Sequence, residues 1–210
     1  MYTLYYSPGA CSMAVHAVLN ECGQAVELKK IDLREARPAE FLKINPRGQV
    51  PVLVDDGLVL REGAAILIYL CEKHKSPLLL ESGRERAVAL EWLSFCNATL
   101  HPAYARCFFL MRNAQDAAAK EQLMGTAIAM INKLWGEVEK RLEQSPYICG
   151  ERMTVADILM TVIANWLIML PNPEAVKMGP RTKQLFKTVI ARPSYKKALE
   201  LEQIEYRAAA

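Results

Sequence analysis

Along the first 75 residues the apolar positions alternate between a two-residue period and a helical one. Thr3 to Tyr6 reads as a strand, and Ser7-Pro8-Gly9 as a turn. Cys11 to about Cys22 reads as a helix closed by Gly23. Val26 to Ile31 alternates like a strand, and Pro38 to Lys43 reads as a short helix. Gln49 to Val54 is a strand with Pro51 inside it; Asp55-Asp56-Gly57 turns it back into Leu58-Val59-Leu60. Glu62 to His74 follows as a helix. The order is β-α-β-α-β-β-α.

Beyond Ser76 to Gly83, the natural linker, only helical patterns follow. Arg84 to Met111 is one long pattern, and Ala117 to Gln144 is a second. Thr154 to Leu170 carries Val155, Ile158, Leu159, Val162, Trp166, Leu167 and Leu170 on one stripe, and its other side is largely apolar too. Such a helix belongs in an interior. Pro180 to Ile190 and Ser194 to about Glu205 are shorter. The pattern predicts an α/β domain over 1–80 and an all-α, all-helical domain over 84–210.

Composition narrows the function classes. The 210 residues are 52% hydrophobic and 23% charged, which is globular rather than disordered. A net charge of +3 gives no global signature of nucleic-acid binding. All of that charge belongs to the helical part, where Lys177 to Lys197 holds seven basic residues and no acid; a solvated helix face is the ordinary origin of such a run. The longest strongly apolar run, Ile158 to Leu170, is too short to cross a membrane, and the first residues lack a basic leader, so a cytoplasmic location is expected. Six cysteines form no Cys-x-x-Cys and no zinc spacing, so no metal site is expected and the thiols should be free.

Three segments carry candidate chemistry. Cys11 follows a strand and a turn and enters the first turn of a helix. Unpaired amides and the helix dipole favour a thiolate there; the alternative is a small buried apolar residue. Ala14 stands where a dithiol oxidoreductase has its second cysteine, so redox chemistry at Cys11 needs an outside thiol. In Asn45-Pro46-Arg47-Gly48-Gln49-Val50-Pro51-Val52-Leu53, a proline within a strand fits either a strand start or a cis peptide that exposes the Val50 backbone to a peptide-like ligand. Glu62-Gly63 opens a helix. Its amides suit a carboxylate and Glu62 suits an ammonium group, which together match the head of an amino acid; simple capping by Glu62 is the alternative.

Together, Pro8-Gly9-Ala10-Cys11-Ser12, Asn45-Pro46-Arg47-Gly48-Gln49-Val50-Pro51-Val52-Leu53 and Glu62-Gly63-Ala64-Ala65-Ile66 resemble the glutathione transferase family, and the cysteine element is most similar to its bacterial beta class. Glu91-Trp92-Leu93, Leu100-His101 and Tyr147-Ile148-Cys149-Gly150-Glu151-Arg152-Met153-Thr154-Val155-Ala156-Asp157 extend the likeness over nearly the whole chain. Thr154 and Asp157 also fit a reciprocal helix cap by themselves.

The resemblance implies a thioredoxin-like N-terminal domain and an active site between the domains. It implies glutathione as co-substrate, no tightly bound cofactor, and a homodimer without nucleic-acid or membrane partners. The partners would be glutathione and small electrophilic or disulfide substrates. Glutathione would lie along Gln49, Val50 and Pro51, with Glu62 and Gly63 at its γ-glutamyl head and Tyr6 near the turn. Cys11 would be catalytic, opposed by His101. Ser94, Asn97 and His101, spaced seven and four apart, would present one polar face, although Pro102 should kink that turn. Where relatives carry a glutathione-contacting base, this chain has Ala36, flanked by Arg34 and Arg37. Tyr104, Phe108 and Trp166 would bind the electrophile. The expected function is glutathione conjugation, glutathione-dependent thiol exchange through Cys11, or both. The alternatives are a non-catalytic glutathione or apolar-ligand binding protein of the same fold, and a cysteine hydrolase using Cys11, His101 and Asn97.

Overall fold

A computed structural model describes residues 1–80 and 82–210. Strands β1 (Tyr2–Tyr6), β2 (Val26–Lys30), β3 (Val52–Asp55) and β4 (Leu58–Leu60) form one sheet in the order β2-β1-β3-β4. β1 runs parallel to β2, while β3 runs antiparallel to both β1 and β4. This is the thioredoxin-like arrangement expected. The alternation of β1 sorts its side chains. Tyr2, Leu4 and Tyr6 enter the main core, and Tyr5 stacks on Phe41 from α2 (Ala39–Ile44) across the other face, at a centroid distance of 5.2 Å. β3 starts at Val52, later than the pattern suggested. Pro51 has no N–H to give a ladder, and the Val50–Pro51 peptide is cis.

The main core does not stop at the domain boundary. It runs from Leu4, Val18 and Leu70 into Leu93, Tyr104, Trp135, Ile163 and Phe186. Helices α1 (Ser12–Glu21) and α3 (Gly63–Lys73) cover the inner face of the sheet, and α1 in turn packs against α7 (Val155–Ala164) and α9 (Pro193–Glu202). The connector is docked as well: Leu78 and Leu79 are buried, and the Leu78 carbonyl accepts the Val155 amide at 2.9 Å. Glu81, within that connector, lies outside the described residues.

The long pattern from Arg84 is helical throughout but not uniform. α4 (Gly83–Phe95) passes through a π-helical turn, Cys96–Leu100, into α5 (His101–Asn113). At the seam the His101 amide bonds the Cys96 carbonyl, five residues back, and Pro102 has no amide to donate. The wide turn rotates the side-chain positions of α5 relative to those of α4. Helix α6 (Ala117–Arg141) crosses back antiparallel to α5. α7 is buried along its whole length, as its apolar composition required. It stops at Ala164, shorter than the pattern suggested, and a 3₁₀ turn (Asn165–Met169) continues it. Asn165 leaves the helix because its side chain serves the C-terminal tail: Nδ2 donates to the Glu205 carbonyl, and Oδ1 accepts the Arg207 amide. Helix α8 (Pro180–Ile190) matches its expected span, whereas α9 ends at Glu202. There Gln203 turns left-handed at φ 57°, and Ile204 closes back on Leu199. No helix among the described residues is long and apolar enough to cross a membrane.

Candidate functional site

The turn between β1 and α1 is braced from both domains. Ser12 Oγ donates to the Ser7 carbonyl and accepts the Ser7 amide. Gly9, at φ 69°, has both backbone groups taken by the helical domain. Its amide donates to Glu202 Oε2 at 3.0 Å, and its carbonyl accepts the Trp166 indole N–H at 2.8 Å. Ile204 Cδ1 would lie 3.2 Å from any Cβ at Gly9, so the turn is also sealed sterically. Glu202 carries a second buried bond, to His16 Nδ1 at 2.9 Å. His16 is thus a structural partner of α9 and does not face Cys11, in line with its helix phase. Glu202 gave no signal in the sequence, because it is 191 residues from Cys11 and belongs to no local motif.

Cys11 sits at the helix cap with its thiol donating to the Val50 carbonyl, 3.6 Å away. This contact unites the first two candidate segments. Two influences on this thiol oppose each other. Burial pushes the Cys11 thiol up to about 12, and the nearby Glu62 charge adds to the rise. The amides of Cys11 and Ser12 favour the thiolate, but too weakly to offset desolvation. The balance of these effects favours the protonated thiol over the thiolate. All six cysteines are free.

The third segment closes the same corner. Glu62 caps α3 in extended conformation, yet its side chain makes no capping bond. Its Oε1 instead pairs with Arg47 at 2.8 Å. A Cβ on Gly63 would touch Pro51 Cγ at 3.6 Å, so the start of α3 lies directly on the cis-proline. Gln49 gives its carbonyl to Asn45 Nδ2 at 2.7 Å, and its side chain is exposed. Tyr6 is buried in the main core, where burial raises its hydroxyl pKa and Glu202 is the facing charge.

The remaining candidate residues come from α5 and from the 3₁₀ turn that follows α7. His101 makes no hydrogen bond to Cys11. Its ring meets Trp166 edge-on at 4.7 Å, and Trp166 in turn holds Gly9. Burial lowers the His101 pKa and so favours the neutral imidazole. Tyr104 and Phe108 also pack edge-on against Trp166, which brings the three expected aromatic residues together. Ser94 is exposed and Asn97 half-buried, and neither side chain carries a hydrogen bond among the described residues. Arg34 is tied to Asp32, and Arg37 gives its guanidinium to the carbonyls of Asp32, Leu33, Glu35 and Gly48. Neither flank of Ala36 is free. Within the basic run, Arg192 pairs with Glu21 on α1. His74 is the C-cap residue of α3 and bonds Tyr2 Oη at 2.7 Å.

Two family models match the chain in sequence order. The model of the glutathione S-transferase N-terminal domain matches residues 1–72, and that of the C-terminal domain matches 89–193. The chain is similar to glutathione S-transferase GstA of Escherichia coli O157:H7, 33% identical over 78% of this chain and 81% of that one. It is also similar to the disulfide-bond oxidoreductase YfcG of Escherichia coli K12, 32% identical over 97% of each. A sphingomonad glutathione S-transferase complexed with glutathione superposes with a TM-score of 0.81 at 31% identity, covering 97% of this chain and 100% of that one.

Proposed function

The chain belongs to the glutathione S-transferase family, and from that premise we propose a beta-class enzyme whose Cys11 acts first as a hydrogen-bond donor. Residues 1–80 bind glutathione, and residues 84–210 supply the electrophile site and the contacts of a cytoplasmic homodimer. The peptide lies along Gln49, Val50 and Pro51, its γ-glutamyl head is held at Glu62 and Gly63, and Tyr6, Ser94 and Asn97 border it. Its sulfur comes to the start of α1 beside Cys11. The observation that carries this reading is the Cys11 thiol at the start of α1, 3.6 Å from the Val50 carbonyl before the cis-proline, where burial pushes its pKa up to about 12. An S–H at that point can donate to the glutathione thiolate, as a hydroxyl would. Conjugation then forms a bond from that thiolate to an electrophilic carbon, whose leaving group departs with the bonding pair. The catalytic contribution of His101 is a neutral imidazole that donates or accepts one hydrogen bond across the cleft. Phe108 borders the electrophile site with the edge of Trp166, and Tyr104, fully buried with its hydroxyl accepting the Trp135 indole N–H, backs them from the core.

The likeness to a disulfide-bond oxidoreductase favours a second reaction at the same centre. There the Cys11 thiolate attacks oxidised glutathione, expels one glutathione thiolate and leaves a mixed disulfide. A second glutathione then resolves it, since position 14 is alanine. One pair of experiments ranks the two. With an activated aryl halide, wild type and Cys11→Ser should both turn over, and Cys11→Ala should be slower by about tenfold, the value of one lost hydrogen bond to a charged group. With oxidised glutathione at pH 7, the intact mass of the wild type should stay unchanged. A gain of roughly 305 Da that disappears in Cys11→Ala would instead make Cys11 the nucleophile.

A further inference from the structure

We infer that Arg112 is a specificity-determining residue of the electrophile site, and that it selects aryl electrophiles carrying a carboxylate or a sulfonate. This inference rests on the conjugation proposed above. α5 sets His101, Ala105, Phe108 and Arg112 on one line, because spacings of four, three and four keep them within about 60° of the helix circumference. His101 and Phe108 meet Trp166 edge-on at 4.7 and 6.0 Å, and Trp166 holds Gly9, two residues before Cys11. The line therefore runs past the turn that carries the thiol. Ala105 is exposed between the two rings, and its single methyl leaves room for a flat ring there. Arg112 follows one helical turn beyond Phe108, about 6 Å along the axis.

The ordinary roles of an arginine in a last helical turn are filled by other groups. The final carbonyls of α5 are already taken. Asn113 Nδ2 donates to that of Phe109 at 2.9 Å, the Ala114 amide to that of Leu110 at 3.1 Å, and Lys120 Nζ to that of Met111 at 2.9 Å. The next acid along the chain, Asp116, gives its carboxylate to the Ala119 amide. α5 itself contains no acidic residue, and neither does the 3₁₀ turn that bears Trp166. Arg112 is exposed, and among the described residues it has no ion pair and no side-chain hydrogen bond. A single exposed cation contributes little to stability. At the end of a line of rings it offers a planar fork of donors, which matches a carboxylate or sulfonate on an aromatic ring. An electrophile seated at Ala105 with its reacting carbon toward Cys11 turns its far end to Arg112. Arg106, the other cation of α5, lies about 120° round the helix and faces away from this line.

The test compares two electrophiles of one shape and different charge: a chlorodinitrobenzoate and its neutral carboxamide, from each of which the glutathione thiolate displaces chloride. The readout is the ratio of their kcat/KM values, which does not depend on the active fraction of a preparation. Arg112→Gln should lower the ratio of benzoate to carboxamide about fivefold, through the KM of the benzoate, as expected for a charge-assisted bond discounted for exposure. Arg112→Lys should lower it less. Added salt should shrink the wild-type ratio toward that of Arg112→Gln. Arg106→Gln removes the same charge from another side of α5 and should keep the wild-type ratio. A ratio unmoved by Arg112→Gln, or moved equally by Arg106→Gln, overturns the inference while conjugation stands. A wild type that consumes neither halide overturns the conjugation proposed above, and this inference with it.

Discussion

The helix starts of this protein differ in how they are capped. Three of those that build the scaffold, α6, α7 and α8, are closed by a carboxylate, while α2, α4 and α9 carry no side-chain cap. α6 begins on Asp116, whose carboxylate accepts the Ala119 amide at 2.8 Å. α7 begins on Thr154, whose amide and hydroxyl both donate to Asp157, and the other Asp157 oxygen accepts the Ile148 amide. α8 has no capping side chain of its own, and Glu139 from α6 accepts the Arg181 and Thr182 amides instead. Those that face the cleft are open. Cys11 at α1 and Glu62 at α3 make no capping bond. A closed start contributes stability and presents nothing; an open one gives up about 1 kcal/mol of capping and keeps its amides for a ligand. The same division appears in the ionisable groups. Asp157 is pushed up to about 6 by burial despite three donors, whereas Glu139 is held below the usual carboxylate range because the Thr182 hydroxyl and two amides outweigh its burial.

The sharpest way to break this contrast is to titrate the open start. If the field of α1 governed Cys11, its alkylation would level off below pH 8. With the pKa near 12, the thiolate at pH 7 is about a thousandfold scarcer than for an ordinary thiol. The rate of iodoacetamide labelling at Cys11, followed by peptide mass mapping, should then climb about tenfold per pH unit from 7 to 10 without a plateau. The next largest effect is at a closed start. Asp157→Ala strands the buried amides of Ile148 and Thr154 and should lower unfolding stability by about 3 kcal/mol or more in a urea titration. Cys11→Ala, at an open start, should change stability by less than about 1 kcal/mol. Gly179→Ala is subtler. Its φ of −75° suits any residue, but the added Cβ would fall on the Glu139 carboxylate that caps α8. Loss of that cap should cost about 2 kcal/mol, with glutathione affinity unchanged. A neutral Gly179→Ala would mean that the cap borrowed from α6 contributes nothing.

Much of this was legible in order along the chain. The Pro8–Ser12 element, the turn before Pro51, the Glu62-Gly63 start and the Thr154–Asp157 cap each lie within about ten residues of sequence, so composition and spacing can announce them. The seam before His101 was half legible. Pro102 signalled a disturbance, but the choice of a π turn over a kink was made by packing around Cys96 and Leu100, both fully buried. Asn165 ends α7 early for a reason forty residues away, in a tail that no local pattern links to it.

The sequence by itself determined the two-domain order, the elements and the three segments that meet at Cys11, because hydrophobic period, proline, glycine and capping residues act over one or two turns. Only the tertiary structure decided the state and surroundings of that cysteine. Helix position favours a thiolate, but the desolvation that raises the thiol's pKa comes from everything packed around it. The hold of Glu202 and Trp166 on Gly9, the packing of His101 against Trp166 and the pairing of Arg47 with Glu62 likewise join residues remote in sequence. Burial and long-range contact are properties of the assembled core, and no window of sequence contains them.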